Sequence, residues 1–265
     1  MGMLQLIVLA VVQGLTEFLP VSSSGHLVLV PSIFGWTDQG LAFDVAVHFG
    51  SLVAVCIFFR FDIAALLRGA RAIITGNVKA DDARMVWYLG LATVPAALTG
   101  LLFASWIATN LRDPLVVVVT LSGYGIVMAL ADQFAPKERN ITDIRLRDAL
   151  IIGLAQALAL IPGTSRSGVT ITVGRLLGIA RQDAARFSFL LSVPVILLAT
   201  IYEAVILITG DIQVAWDTLA LAGLISAIVA YLSIEFFMRV ISVIGLLPFA
   251  IYRLILAGVI FYALI

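Results

Sequence analysis

Charge is scarce in this 265-residue chain: 12% of its residues are Asp, Glu, Lys or Arg, and the 16 basic and 16 acidic side chains cancel. A zero balance offers no basic face for nucleic acid. Cysteine is limited to Cys56, set in an apolar run, which rules out an intramolecular disulfide and leaves the redox compartment unread. No Lys or Arg precedes Arg60, so the opening MGMLQLIVLAVV lacks the basic flank of a secretory signal and is expected in the mature protein. No His/Cys/Asp cluster has transition-metal spacing. GTSRSG has no Walker lysine, which excludes a P-loop.

What fills the chain instead is hydrocarbon: 62% of its residues are apolar, and the mean hydropathy is +1.13. Soluble domains do not reach these values, so the expected fold is an all-α polytopic membrane protein forming a single domain, 1–265. Six segments are long enough to cross a bilayer: 41–59, 86–104, 114–131, 186–209, 218–238 and 245–265. Three intervening stretches are basic, with Arg60, Arg68, Arg71, Lys79 and Arg84, then Lys137, Arg139, Arg145 and Arg147, then Arg175, Arg181 and Arg186. The loops near 105–113 and 210–217 hold only Arg112. The positive-inside rule predicts the first three to be cytoplasmic and the last two outside. RFDIAALLRGARAIITG reads as a basic amphipathic helix on the inner surface.

Two further apolar pieces, 3–34 and 150–178, are broken in the middle by PVSSSG (Pro20 to Gly25) and PGTSRSG (Pro162 to Gly168). Only if each returns to its own side do the six crossings alternate with the basic loops. Both are therefore predicted to be re-entrant helical hairpins, whose unwound backbone is tolerated at depth where it faces protein or a wet cavity. At an offset of 143 residues Gln13 falls on Gln156, Leu15 on Leu158, Ser22 on Ser165, Ser24 on Ser167 and Gly25 on Gly168. Three crossings follow each hairpin, so the halves, about 1–131 and 148–265, are predicted to form an inverted-topology repeat.

The breaks concentrate the chain's chemistry: Glu17, Ser22, Ser23, Ser24 and His26 in the first, Thr164, Ser165, Arg166, Ser167 and Thr170 in the second. Each opens a helix whose free N–H groups and dipole favour an anion. A guanidinium suits phosphate oxygens, hydroxyls donate to them or attack phosphorus, and an imidazole or carboxylate moves the proton. Simpler readings stand beside these. Ser/Thr-rich turns cap helices, Glu17 and Arg166 can pair with each other, His26 can cap its neighbour, and Gln13 and Gln156 can bridge helices. Asp44 and His48 are interfacial or line the site, while Glu203, Glu235 and Arg253 snorkel or pair structurally. SSGH is shared with type 2 phosphatidic-acid phosphatases, but Thr172 stands where their second histidine would follow.

QGLTEFLPVSSSGHL (Gln13 to Leu27) and PGTSRSGVT (Pro162 to Thr170) resemble the two signatures of the bacterial undecaprenyl-diphosphate phosphatases, also called bacitracin-resistance proteins. FSFLLSVPVILLAT (Phe187 to Thr200) and PFAIYRLILAG (Pro248 to Gly258) are similar to further segments of that family, so the likeness covers nearly the whole chain. It implies hydrolysis of a polyprenyl diphosphate to the monophosphate and inorganic phosphate, at a site facing the outer side of the cell membrane. The implied partners are that lipid and the bilayer, with bacitracin acting only through the substrate, a homodimer left open and no nucleic acid. By this similarity Glu17, Ser23, His26, Ser165, Arg166 and Thr170 carry the site, with Ser22, Ser24, Ser167 and Gln13 beside the substrate. Many members have Glu at the place of Gln13, so a two-carboxylate metal site does not carry over directly, and a divalent ion, Mg2+ or Ca2+, at Glu17 stays open. Ser23 as nucleophile, with His26 as base and Glu17 orienting it, fits as well as water activated by Glu17 and His26. A transporter or flippase of a phosphorylated polyprenyl lipid is the alternative of another class.

Overall fold

Apolar runs without hydrogen-bonding partners in lipid must satisfy their backbone internally, and here they do so as helices. The computed structural model describes residues 1–76, 81–111, 113–136, 139–209 and 215–264. Lys79, Arg112, Lys137 and residues 210–214 of the second predicted outer loop lie outside the described residues. Among those described, the chain forms α1 (Met3–Thr16), α2 (Ser23–Phe34), α3 (Leu41–Phe58), α4 (Arg60–Ile74), α5 (Asp81–Asn110), α6 (Pro114–Phe134), α7 (Leu146–Ala157), α8 (Arg166–Leu176), α9 (Arg181–Thr209), α10 (Trp216–Ile244) and α11 (Leu247–Leu264).

Five of these, α3, α5, α6, α9 and α10, are long and apolar enough to cross a membrane. The sixth predicted crossing corresponds to α11, which is apolar but falls among the shorter helices. Several helices outrun their predicted spans: α5 starts at Asp81 and α10 continues to Ile244. Helical hydrogen bonding does not stop where the apolar stretch stops, because Ala, Arg and Met propagate a helix well and the acidic Asp81 and Asp82 suit a helix N-terminus. α4 exposes Phe61, Leu67 and Ile74 as well as Arg60 and Arg68, the mixed surface of an interfacial helix.

The helices approach closely where small residues allow it. α3 lies on α10 so tightly that a Cβ at Gly50 would sit 2.1 Å from the Gly223 carbonyl oxygen. The Ser226 hydroxyl donates to the Val47 carbonyl at 2.7 Å beside this crossing. Gly153 of α7 meets the Ala92 carbonyl of α5 in the same way, at 2.5 Å. Gly50→Val is expected to cost about 1 to 3 kcal/mol by overpacking, read as a lower thermal midpoint in detergent. Gly90→Ala, whose Cβ meets nothing within 4 Å, should not lower the midpoint, since Ala is the better helix former.

Arg175, counted above among the loop cations, is fully buried. Its Nε donates to Asp132 Oδ1 at 3.2 Å. Arg181 donates to both oxygens of the same carboxylate, at 2.7 and 2.9 Å, and the Leu246 N–H completes the set at 2.9 Å. One acid thus joins α6, α8, α9 and the start of α11. A buried guanidinium needs such partners, and sequence spacing alone does not distinguish it from a surface charge.

Candidate active site

Both breaks are built alike. Ser22 and Ser165 are the two non-glycine residues with positive φ among the described residues, at 76° and 70°. Each begins a helix as its N-cap: Ser22 Oγ accepts from the Gly25 N–H at 3.4 Å and Ser165 Oγ from the Gly168 N–H at 3.1 Å. Ser22 and Ser24 hydroxyls lie 3.3 Å apart, as do those of Ser165 and Ser167. Left-handed backbone is costly away from glycine, so its recurrence at matched positions marks a constrained feature.

Packing brings the breaks together. Ser167 Oγ donates to the Leu19 carbonyl at 3.0 Å, and Thr120 of α6 donates to the Pro162 carbonyl at 2.6 Å. Glu17, 8% exposed, sits at the junction. Its Oε1 accepts from Arg166 Nη2 at 3.0 Å, and its Oε2 accepts from Ser23 Oγ at 2.8 Å and Gln13 Nε2 at 2.9 Å. His48 Nε2 stands 3.8 Å from Oε2. Glu17 and Arg166 are therefore a pair, and the pair also holds the Ser23 hydroxyl.

The expected residues do not all converge. Glu17, Ser23, Arg166 and Gln13 form one connected cluster. Ser22, Ser165, Ser167 and Thr170 turn inward: Thr170 Oγ1 donates to the Arg166 carbonyl at 2.7 Å and lies 2.6 Å from Ser188 Oγ, with 1% of the residue exposed. These four shape the breaks. Ser24 is exposed. His26 is bound elsewhere: Nδ1 donates to the Ser22 carbonyl at 2.7 Å, which leaves Nε2 of the neutral ring to accept from the Tyr252 hydroxyl at 2.7 Å. The two rings stack with centroids 5.7 Å apart. The group that meets the Ser23 hydroxyl is Glu17.

Three buried polar atoms at the breaks have no protein partner: Arg166 Nη1, Gln13 Oε1 and Thr164 Oγ1. Native interiors leave few such groups, and each asks for an occupant. An unsatisfied guanidinium N–H beside a carboxylate already neutralised by the same guanidinium suits an anionic oxygen.

The sequence profile described as Bacitracin resistance protein BacA matches residues 6–259. The chain belongs to that family. It is 49% identical to Undecaprenyl-diphosphatase 2 of Stutzerimonas stutzeri (strain A1501) over 262 residues, 98% of this chain and 97% of that one. It is 49% identical to Undecaprenyl-diphosphatase of Teredinibacter turnerae over 263 residues, 99% and 100% of the two chains. With Undecaprenyl-diphosphatase of Hahella chejuensis it shares 50% identity over 260 residues, 97% of each. Both breaks, Pro20 to Gly25 and Pro162 to Gly168, lie within the matched residues 6–259.

Metal ligation in this bacitracin-resistance family member is limited by its donors. Among the described residues no three His, Cys, Asp or Glu side chains gather. Glu17 with the partnerless Gln13 amide oxygen would suit Mg2+, which takes one or two carboxylates and completes its shell with substrate phosphate and water, once the Gln13 amide, whose Nε2 donates to Glu17 at 2.9 Å, turned its oxygen toward the carboxylate.

Tyr252, Arg253 and Thr120 enter the site although spacing did not bring them there, and His48, read above as interfacial or lining, stands beside Glu17. Arg253 carried a usable signal, as the one charged residue between Leu246 and Ile265. His48 was legible as a titratable group at a helix end, but its partner Glu17 comes from another helix. Nothing local marks Tyr252 or Thr120.

Proposed function

We propose that this chain, like the relatives named undecaprenyl-diphosphatase, acts on undecaprenyl diphosphate, that it releases the monophosphate and inorganic phosphate, and that the two breaks form the active site. The carrying observation is the Ser23 hydroxyl donating at 2.8 Å to Glu17 Oε2, while Arg166 binds Oε1 and keeps its buried Nη1 free. In this reading Ser23 Oγ attacks the terminal phosphorus and its proton passes to Glu17. The bond from phosphorus to the bridging oxygen breaks, and the lipid monophosphate leaves. Water then attacks the phosphoserine, releases inorganic phosphate and returns Ser23 to its hydroxyl form, with His26 assigned to the water's proton. Arg166 Nη1 and the N–H groups opening α2 and α8 hold the anionic oxygens as charge develops. A divalent ion at Glu17 and Gln13 would supply further neutralisation of the phosphate charge.

The same reading has six crossings, with α1–α2 and α7–α8 as re-entrant hairpins of an inverted repeat, and the site opening to the outer face of the cell membrane. The matched backbone of Ser22 and Ser165 and the uneven basic loops support it. In a Cys56→Ser background, a cysteine at Thr209 should react with a membrane-impermeant reagent on intact cells and one at Asn140 should not. Labelling at Asn140 alone would refute this topology.

Phosphate release from purified protein and undecaprenyl diphosphate in detergent tests the chemistry. Release at many turnovers is expected. Its absence, with lipid movement across vesicles retained, would favour a transporter or flippase.

A further inference from the structure

A buried arginine usually answers a carboxylate, and Arg253 does not. It lies on α11, 1% exposed, and its guanidinium donates only to backbone carbonyls. Nε reaches Leu121 at 3.2 Å and Nη2 reaches Thr120 at 3.4 Å, both on α6. Nη1 reaches Pro20 at 3.4 Å, in the first break, and Nη2 reaches Gly163 at 2.9 Å, in the second. One planar fork thus holds both breaks against α6, a task that needs several fixed donors rather than a point charge. The fit is close on every side. A Cβ at Gly125 would stand 3.4 Å from Arg253 Cβ, and one at Gly168 would stand 3.2 Å from Nη1.

The charge matters as much as the fork. Among the described residues no carboxylate lies within ion-pair distance of Arg253, whereas Arg166 is paired with Glu17 at 3.0 Å. The Glu17–Arg166 pair is formally neutral, with His48 also beside Glu17 at 3.8 Å, so Arg253 adds beneath the breaks a positive charge that no carboxylate answers among the described residues. Carbonyl dipoles solvate it but cannot cancel it, and in a medium of low dielectric an uncompensated cation acts over several ångströms.

We infer that Arg253 is a positioning residue of the phosphatase site, bridging the carbonyls of Pro20 and Gly163 to set the two breaks in register and adding an unpaired positive charge to the site's attraction for the diphosphate anion. This rests on the phosphatase reading above. It separates two functions of one side chain, which two substitutions can tell apart. Arg253→Lys keeps the cation and loses the fork, whereas Arg253→Gln loses the cation and keeps a partial donor.

The probe is methylenediphosphonate, a diphosphate analogue that is not hydrolysed, titrated onto the purified full-length protein, alongside kcat and KM for undecaprenyl diphosphate. Arg253→Gln should bind the probe at least tenfold more weakly and raise KM. Arg253→Lys should bind it within about threefold of wild type while kcat falls at least tenfold, because the breaks lose their register. Thermal midpoints report folding separately. Wild-type affinity and kcat in a folded Arg253→Gln would overturn the inference, as would equal losses of affinity and kcat in both variants. If Arg253→Gln does not fold, an unchanged kcat in Arg253→Lys overturns it and a reduced kcat with retained affinity supports it. Failure of the wild type to release phosphate would instead remove the phosphatase reading and this inference with it.

Discussion

Ser23→Ala should lower phosphate release by more than about a thousandfold, roughly 4 kcal/mol of barrier, while the thermal midpoint stays close to wild type. The expectation follows from where the hydroxyl sits. Ser23 Oγ donates to Glu17 Oε2, and its removal leaves that oxygen still held by Gln13, so little folding energy depends on it. The control is one residue away. Ser24 is exposed and its hydroxyl meets only Ser22 Oγ, at 3.3 Å, so Ser24→Ala should stay within about threefold of wild type, in the range of surface substitutions. Glu17→Gln should approach the loss of Ser23→Ala, because an amide neither accepts the serine proton nor pairs with Arg166. If Ser23→Ala retained more than about a tenth of wild-type turnover, less than about 1.4 kcal/mol of barrier would be at stake, and attack by water would replace attack by serine.

Arg166→Lys carries the second large effect, a loss of about 2 to 4 kcal/mol in kcat/KM with protein yield and melting little changed. Lysine keeps the charge that answers Glu17, so a purely structural pair would tolerate it. It lacks the planar fork that sets one nitrogen on Glu17 Oε1 and leaves the other, Nη1, buried and without a partner. A clamp needs both arms at once. The competing account makes a different prediction: Glu17→Gln and Arg166→Ala would each destabilise the fold and the double variant would recover part of the loss, because one unpaired buried charge is worse than none. Wild-type catalysis by Arg166→Lys would leave Thr164 and the backbone N–H groups to hold the phosphate.

The sequence by itself determined the helices, the two breaks and the chemistry gathered in them, because each is written locally. Run length sets a span, and proline followed by serines and glycine interrupts a helix wherever it stands. It also carried the matched pairs Ser22 with Ser165 and Gly25 with Gly168, whose shared turn geometry depends on a few adjacent residues. Tertiary structure alone decided which polar atoms face one another. Glu17 meets Arg166 across 149 positions and His26 meets Tyr252 across 226. Those encounters depend on how α8 and α11 rotate and settle against α1 and α2, which no period in the sequence encodes. The same rotation set the Ser167 and Thr170 hydroxyls against the Leu19 carbonyl and Ser188, contacts that nothing in their spacing announced. Arg253 is the sharpest case. Its position in an apolar stretch announced that a buried charge was there, but only the packing of α11 against α6 and both breaks set four carbonyls around it.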